Sequence, residues 1–252
     1  MSKRRLIQKT GDYYHLPGRK SLVVRRLQRH QFSAPQLDRA KSIASQLSKF
    51  SFIKSIYLTG SLAMSNSPRD ADIDFMIITE DGVLWTTRFL ITIYVSLLGL
   101  RRTPASKDTA GKLCLNLYLS PSSYLIPPSK QNLYTAYELI QAVPLYDPEG
   151  TRSELLAANS WIKQHLPNAI GWSDLPPRSD LLRKPRLGGV FSRLQNTIRR
   201  PGQTFMDILE SFFYNLQLLY MRKKITREYI TKTSAFFHPH DPGAKVLKKL
   251  NF

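Results

Sequence analysis

The stretch LTGSLAMSNSPRDADIDFMI, residues 58–77, decides how the rest of the sequence is interpreted. It places Gly60 and Ser61 at the end of one apolar run, and Asp72 and Asp74 at the start of the next. Residues two apart in a strand lie on the same side, so both carboxylates are predicted to point the same way. Such close carboxylates repel each other, which indicates a cation between them. The residues that alternate with them are predicted to face a core, and these are Ile73, Phe75 and Ile77.

The segments around this stretch predict an α/β protein of the α+β kind, with a small mixed sheet. A helix is predicted over residues 35–49, strands over 52–60 and 72–79, a buried helix over 83–100 and a third strand over 112–120. We therefore expect a core at 35–128, after a basic N-terminal extension at 1–34. Residues 129–252 are predicted to form a helical C-terminal region with a basic loop at about 168–202.

Composition narrows the class of protein. The chain has 252 residues, of which 42% are hydrophobic, enough for a substantial core. Cys114 is the only cysteine, which excludes an intrachain disulfide and a thiolate-based zinc site. The longest apolar run, residues 89–100, is shorter than the roughly 20 helical residues that cross a bilayer. We therefore expect a cytoplasmic protein without a membrane partner, while the oligomeric state stays open.

Positive charge is concentrated at the two ends of the chain. The formal net charge is +19, and residues 1–49 hold 12 Lys and Arg against 2 acidic residues. Such a field attracts polyanions, which predicts a nucleic acid partner, RNA or DNA. Residues 13–30 combine tyrosines with arginines, as in a surface that stacks on bases. A short hairpin packed on the core is an alternative that is compatible with this interpretation.

The two aspartates and the Gly-Ser turn together predict chemistry on phosphates. Asp72 and Asp74 offer the oxygen ligands that Mg²⁺ or Mn²⁺ prefers. Gly60 permits a tight turn, and the Ser61 hydroxyl with nearby backbone N–H groups offers donors to phosphate oxygens. A divalent cation opposite a phosphate-binding turn is typical of phosphoryl or nucleotidyl transfer.

The same residues resemble the signature of the polymerase-beta-like nucleotidyltransferase superfamily. The resemblance covers residues 37–120, and its motif here is formed by Leu58, Gly60, Ser61, Asp72, Ile73, Asp74 and Phe75. The segments GSLAMSN, LWTTRF, CLNLYLS, AYELIQAVPLYD and FHP are similar to a little-characterised prokaryotic branch of it. The resemblance implies metal-dependent transfer of an NMP from an NTP to an acceptor.

One position departs from that pattern. The resemblance implies a third carboxylate on the next strand, where this chain has Asn116. Asparagine can coordinate a metal through its carbonyl, but it cannot serve as a base. Glu138, in a following helix, is our candidate for taking the proton, and an exposed or capping role is its alternative. Asp108 and Asp147, both in predicted turns, are weaker candidates.

The remaining polar residues are predicted either to contact phosphate or to have structural roles only. Lys112 is predicted to share one strand face with Cys114, Asn116 and Tyr118, and with Arg88 it is a candidate phosphate contact. A surface salt bridge is the alternative for Arg88. Asp70 is expected to be a solvated turn residue, and packing roles are expected for His238 and His240.

Two functions are left open by the sequence. The first is a nucleotidyltransferase that uses Mg²⁺ or Mn²⁺ and an NTP, with Asp72, Asp74, Asn116 and Glu138 at its catalytic site and a nucleic acid such as RNA as acceptor. The second is a catalytically inactive protein of the same fold that acts as a nucleic-acid-binding or regulatory partner. A protein or a small molecule as acceptor is a further alternative.

Overall fold

The computed structural model describes residues 6–103, 109–172, 201–222, 225, 228–237 and 242–249. The strands in this part of the chain are β1 Gln8–Thr10, β2 Tyr13–His15, β3 Ile53–Thr59, β4 Ile73–Thr79, β5 Leu113–Leu119, β6 Val143–Tyr146, β7 Tyr229–Ile230 and β8 Ser234–Phe236. The helices are α1 Ser21–Leu47, α2 Gly60–Ala63, α3 Leu84–Leu97, α4 Leu133–Gln141, α5 Thr151–Ala158, α6 Ile162–His165, α7 Pro201–Met221 and α8 Pro242–Lys249.

A six-stranded mixed sheet organises these elements, in the order β6-β3-β4-β5-β8-β7. Strands β4 and β5 are parallel, and the other neighbours are antiparallel. Strands β1 and β2 form a separate hairpin. The predicted mixed α+β class is therefore confirmed. No helix in the described ranges is both long and apolar enough to cross a membrane.

Each face of the sheet carries its own hydrophobic core. On the first face, here called the α1 face, the alternating residues of β4 pack against α1 and α3, as predicted, and these residues are Ile73, Phe75 and Ile77. On the second, the α4 face, Met76 and Ile78 pack against α4, α5 and α6. Helix α7 lies against α3 on the α1 face. Because both faces are covered, the middle of β4, from Phe75 to Ile78, is entirely apolar, and its polar residues, Asp74 and Thr79, lie near its two ends.

Helix α1 begins much earlier than predicted. The helical spacing of the apolar residues from Leu37 to Leu47 places the start of this helix at residue 35. In the structure Pro35 lies inside a helix that begins at Ser21, and the boundary predicted between residues 34 and 35 falls within it. Buried Val23 and Ser33 anchor the additional turns to the rest of the protein. The alternative of a hairpin within residues 13–30 is wrong for most of that range: Tyr13–His15 form β2, which pairs with the preceding β1, but the residues from Ser21 onward belong to α1.

The C-terminal region is also more closely joined to the core than predicted. Residues 143–146 lie in the region predicted to be helical, but they form β6 and pair with β3. Pro144 is tolerated there because β6 is an edge strand of the sheet. At the other side β8 pairs with β5. Residues 129–252 therefore supply strands to the same sheet. Most of the predicted basic loop, residues 173–200, lies outside the described residues.

Candidate active site

Asp72 and Asp74 lie at the start of β4, the strand between β3 and β5 in the sheet. Asp74 is paired in register with Thr59 of β3 on one side and with Cys114 of β5 on the other. Ligand atoms of Asp72, Asp74 and Cys114 all lie within 4.8 Å of one another. The carboxylates thus converge as predicted, and the thiol of Cys114, which the sequence did not assign to the site, lies beside them.

Gly60 brings the turn after β3 directly against Asp74. Its φ is +68°, a value that favours glycine, and it begins α2. A Cβ atom built on Gly60 would overlap Oδ2 of Asp74 and lie 3.2 Å from its Cγ. Glycine is therefore required here both by the backbone conformation and by the neighbouring carboxylate. The structure thus brings Gly60 to Asp74, and Ser61, half-buried in α2, is the next residue along the chain.

Helix α1 fixes the loop that connects α2 to β4. The guanidinium of Arg26 donates to the backbone oxygen of Met64 at 3.1 Å. Gln36 donates to the backbone oxygen of Pro68 at 3.0 Å and accepts from the hydroxyl of Ser67 at 2.7 Å. These residues support the Gly-Ser turn from a distant part of the sequence. No motif in the sequence indicates them, because they act through contacts more than 30 positions away.

Asn116 lies next to Asp74, at the position that the sequence analysis assigned to it. Its side-chain amide donates to Oδ1 of Asp74, and its carbonyl accepts from Sγ of Cys114 at 2.7 Å. A shift in register between β4 and β5 at this point places an additional residue on β5. Because of this bulge, Tyr118 packs on the α1 face instead of sharing a face with Cys114 and Asn116. The predicted face was wrong for Tyr118.

Arg102 forms an ion pair with Asp72, which the sequence did not predict. Its Nη1 donates to Oδ2 of Asp72 and lies 3.8 Å from Sγ of Cys114. The residue follows α3 in a short segment where Arg101 bridges to Leu113 at the start of β5. Since nothing in the sequence relates this segment to Asp72, only the fold reveals the pair.

The electrostatics of Asp74 show how closely the acidic groups are placed. Burial, and then the negative charges of Asp72 and Glu138, raise the pKa of Asp74 from 3.8 to about 8, although Arg102 and Asn116 act in the opposite direction. Glu138 is on α4, so a third carboxylate reaches this region from a helix on the α4 face. Burial and the charges of Asp74 and Asp72 likewise raise the pKa of the Cys114 thiol to about 12.

These groups fit a divalent cation. Two carboxylates with a third acidic group nearby hold more negative charge than one arginine neutralises, and a cation would reverse the raised pKa of Asp74. The oxygen atoms of Asp72 and Asp74 are the ligands that would hold it, with the sulfur of Cys114 as a third donor within reach. The arrangement can therefore bind a metal ion and a group that the metal ion attracts, such as a phosphate.

The two predicted phosphate contacts lie in different places. Lys112 precedes β5, and its backbone oxygen accepts from the N–H of Ile73 at 2.8 Å, so it lies at the same end of the sheet as the aspartates. Arg88 belongs to the contact of α3 with α7: it donates to Gln217 and lies 4.2 Å from the ring centre of Phe237. Burial lowers the pKa of Arg88 to about 10. Because α3 covers the α1 face, the structure does not bring Arg88 to the carboxylates.

The remaining acidic candidates have structural surroundings. Asp70 is exposed, and its contact with Thr109 is through its backbone oxygen. Asp147 accepts from the N–H of Thr151 at 2.8 Å and from the hydroxyl groups of Ser55 and Tyr57, so it joins the first turn of α5 to β3. Asp108, His238 and His240 lie outside the described residues.

Comparisons with known proteins add little to this geometry. No family model matches the sequence, and no curated protein matches it. Among solved structures, the chain is similar to a crystal structure of a toxin-antitoxin with AMP-PNP, with 15% identity over 51% of this chain and 88% of that chain and a TM-score of 0.30. A likeness of this size carries no inference about function.

The close approach of Gly60 to Asp74 predicts a specific loss of stability. Gly60→Ala and Gly82→Ala each place a side chain at a positive φ, which costs about 1–2 kcal/mol. Only the first also forces a methyl group into Asp74, since a Cβ on Gly82 would meet nothing within 4 Å. We expect Gly60→Ala to lower the free energy of unfolding by about a further 1–3 kcal/mol in urea titrations. Equal losses for the two variants would contradict the contact.

The raised pKa of Asp74 predicts how stability depends on pH. The folded metal-free protein keeps a proton on Asp74 up to about pH 8, whereas the unfolded chain releases it near the ordinary pKa of 3.8. The folded state therefore binds more protons in this window, and the contribution of Asp74 to stability decreases as the pH rises from about 4 to 8, by about 1.4 kcal/mol per unit at most. Asp74→Asn should remove this slope in urea titrations with EDTA. Asp70→Asn is the control, and the same slope in all three proteins would contradict the prediction.

Proposed function

We propose that this protein is a metal-dependent nucleotidyltransferase that transfers an NMP from an NTP to an acceptor, with a nucleic acid such as RNA as the acceptor. The observation that carries the proposal is the contact of the Gly60 turn with Asp74, at the point where Asp72 and the charge of Glu138 also converge. It is supported by the resemblance of the motif to the polymerase-beta-like superfamily, whose Gly-Ser and Asp-x-Asp elements occur here in the same order.

In this proposal Asp72 and Asp74 hold Mg²⁺ or Mn²⁺. When bound, the metal supplies positive charge that neutralises the triphosphate and polarises its α-phosphate. Gly60 lets the turn approach the carboxylate of Asp74 closely, and the hydroxyl of Ser61, the next residue, is the donor that we assign to the phosphate oxygens. Lys112, at the same end of β5, adds a positive charge toward the phosphates.

The transfer requires a group that removes a proton from the acceptor. The acceptor hydroxyl attacks the α-phosphorus, a new P–O bond forms, and the bond to the bridging oxygen breaks, so that pyrophosphate leaves with the electron pair. Asn116 cannot accept the proton. Glu138 is the acidic residue outside the Asp pair whose charge acts on Asp74, and we assign the proton to its carboxylate.

The acceptor is proposed from charge. The formal net charge is +19, and the N-terminal hairpin and α1 carry exposed basic and aromatic residues. In the hairpin, the ammonium group of Lys9 lies 5.6 Å from the ring centre of Tyr14, whose side chain is largely exposed. A cation beside an exposed aromatic ring suits a strand of nucleic acid, which offers phosphates and bases together.

A second function is favoured by Asn116. Its amide donates to Asp74, the same carboxylate that the metal would need, and the strand β5 has no acidic side chain at this position. A protein of this kind would bind nucleotide or nucleic acid without transferring anything. It would act as a nucleic-acid-binding or regulatory partner.

Label transfer tests the enzymatic proposal. The protein is incubated with labelled NTPs, Mg²⁺ or Mn²⁺ and total RNA, and label in the RNA is measured. Asp72→Asn and Asp74→Asn should each abolish transfer, because the metal loses a charged ligand. Asp70→Asn, the matched exposed aspartate, should leave the rate unchanged. Glu138→Gln should lower it by about 10²-fold or more while NTP binding persists, since only the base is lost.

The outcomes separate the two functions. A transfer rate that is unchanged in Asp72→Asn would contradict the mechanism. RNA binding without any label transfer by the wild-type protein would favour the second function. Failure to bind RNA even at low salt would exclude a nucleic acid partner in either version.

A further inference from the structure

Arg102 is paired with Asp72, a carboxylate for which a bound metal ion would compete. Its Nη1 donates to Oδ2 of Asp72, while the same nitrogen lies 3.8 Å from Sγ of Cys114. Asp72 is the more enclosed partner, since its side chain is 17% exposed and that of Arg102 is 42% exposed. The guanidinium therefore covers the carboxylate from the solvent side, within the group of atoms that could ligate a cation.

The backbone that carries Arg102 is fixed, although its side chain is long. The N–H of Arg102 donates to the backbone oxygen of Leu113 at 3.0 Å, and the N–H of Leu113 donates to that of Leu100 at 2.7 Å. The backbone from which the Arg102 side chain extends is therefore held beside β5. Rotation of the side chain alone is enough to move the charge away from Asp72.

In the metal-free protein the charge of Asp72 already has a cationic partner, the guanidinium of Arg102. The negative charges of Asp72 and Glu138 act on Asp74, and Arg102 is the basic group that opposes them. A divalent cation on Asp72 would repel the guanidinium at short range. An accompanying triphosphate would attract it, because guanidinium and phosphate form strong bidentate hydrogen bonds.

We propose that Arg102 is the counter-ion of Asp72 in the metal-free site and that it transfers to a substrate phosphate when a metal-bound triphosphate enters. This inference rests on the proposed function and adds a residue to it. Arg102 is then a positioning residue with two partners: it opposes the metal ion alone, and it favours the metal ion together with the triphosphate.

Calorimetric titrations test the two effects separately, without turnover. Mn²⁺ alone should bind Arg102→Gln about two- to five-fold more tightly than the wild type, the change that corresponds to an exposed ion pair. Mn²⁺ with a non-hydrolysable NTP analogue should bind the same variant about ten-fold more weakly, because a charged phosphate contact is lost. Arg102→Lys should leave binding of Mn²⁺ alone near the wild-type value and weaken analogue binding less than glutamine does.

Arg101→Gln is the matched control. It removes the same charge from the neighbouring position, but the charge of Arg101 acts on Arg88 and Tyr118 at the α1 face. Both affinities should stay at the wild-type value. Circular dichroism with thermal unfolding confirms that each variant is folded before titration.

The possible failures are distinguishable. If the wild type binds Mn²⁺, Asp74→Asn does not, and Arg102→Gln matches the wild type in either titration, then the inference about Arg102 is wrong and the proposed metal site stands. If the wild type does not bind Mn²⁺, or if Asp74→Asn binds it equally well, the proposed function fails and the inference fails with it.

Discussion

The contact of a glycine turn with a buried carboxylate is the constraint on which the site depends. Strands β3 and β4 are antiparallel, so the residue that ends β3, Thr59, is paired with Asp74 at the start of β4. The next residue after Thr59 must then turn beside that carboxylate, and the space left is too small for a Cβ atom. Gly60 satisfies this requirement. The sheet register thereby places the Gly-Ser turn directly against an acidic group.

The second constraint is charge. Burial of Asp74 near Asp72 and Glu138 is unfavourable for the ionised form unless a cation is present, as the raised pKa of Asp74 indicates. The folded protein reduces this cost with Arg102 and with the amide of Asn116. A single positive charge and a neutral amide dipole neutralise less negative charge than a divalent cation does. A site of this kind gains most when a metal ion arrives with an anionic substrate, which agrees with the chemistry we propose.

Local patterns predicted much of the fold because its central elements obey simple periodicity. Alternation along β4 identified which residues face the core, and Gly99 marks the end of α3 near residue 97. The failures have local causes. Apolar spacing predicts this helix only from residue 35, although tertiary packing maintains α1 on both sides of Pro35. Residues 143–146, which include Pro144, lie in a region predicted to be helical, yet they form an edge strand. A bulge on β5 reversed the orientation of Tyr118.

The residues of the site also divide into those that a local sequence pattern reveals and those that only the fold reveals. Gly60, Asp72 and Asp74 could be recognised because they belong to one short stretch, and Asn116 because it follows on the neighbouring strand. The contacts of Arg26 and Gln36 with the loop before β4, and of Arg102 with Asp72, depend on elements that meet only in the folded chain. Sequence spacing contains no signal for them. Glu138 lies between these cases, since the sequence made it a candidate, while the effect of its charge on Asp74 depends on the folded chain.

The most direct test of the central claim is anomalous diffraction at the manganese absorption edge, from crystals of the wild-type protein grown with Mn²⁺ and a non-hydrolysable NTP analogue. The account predicts an anomalous peak at bonding distance from carboxylate oxygens of both Asp72 and Asp74, with analogue phosphates beside the Gly60 turn. A structure that contains the analogue without a peak between these aspartates, or with Mn²⁺ bound elsewhere and the Arg102–Asp72 pair intact, would contradict it.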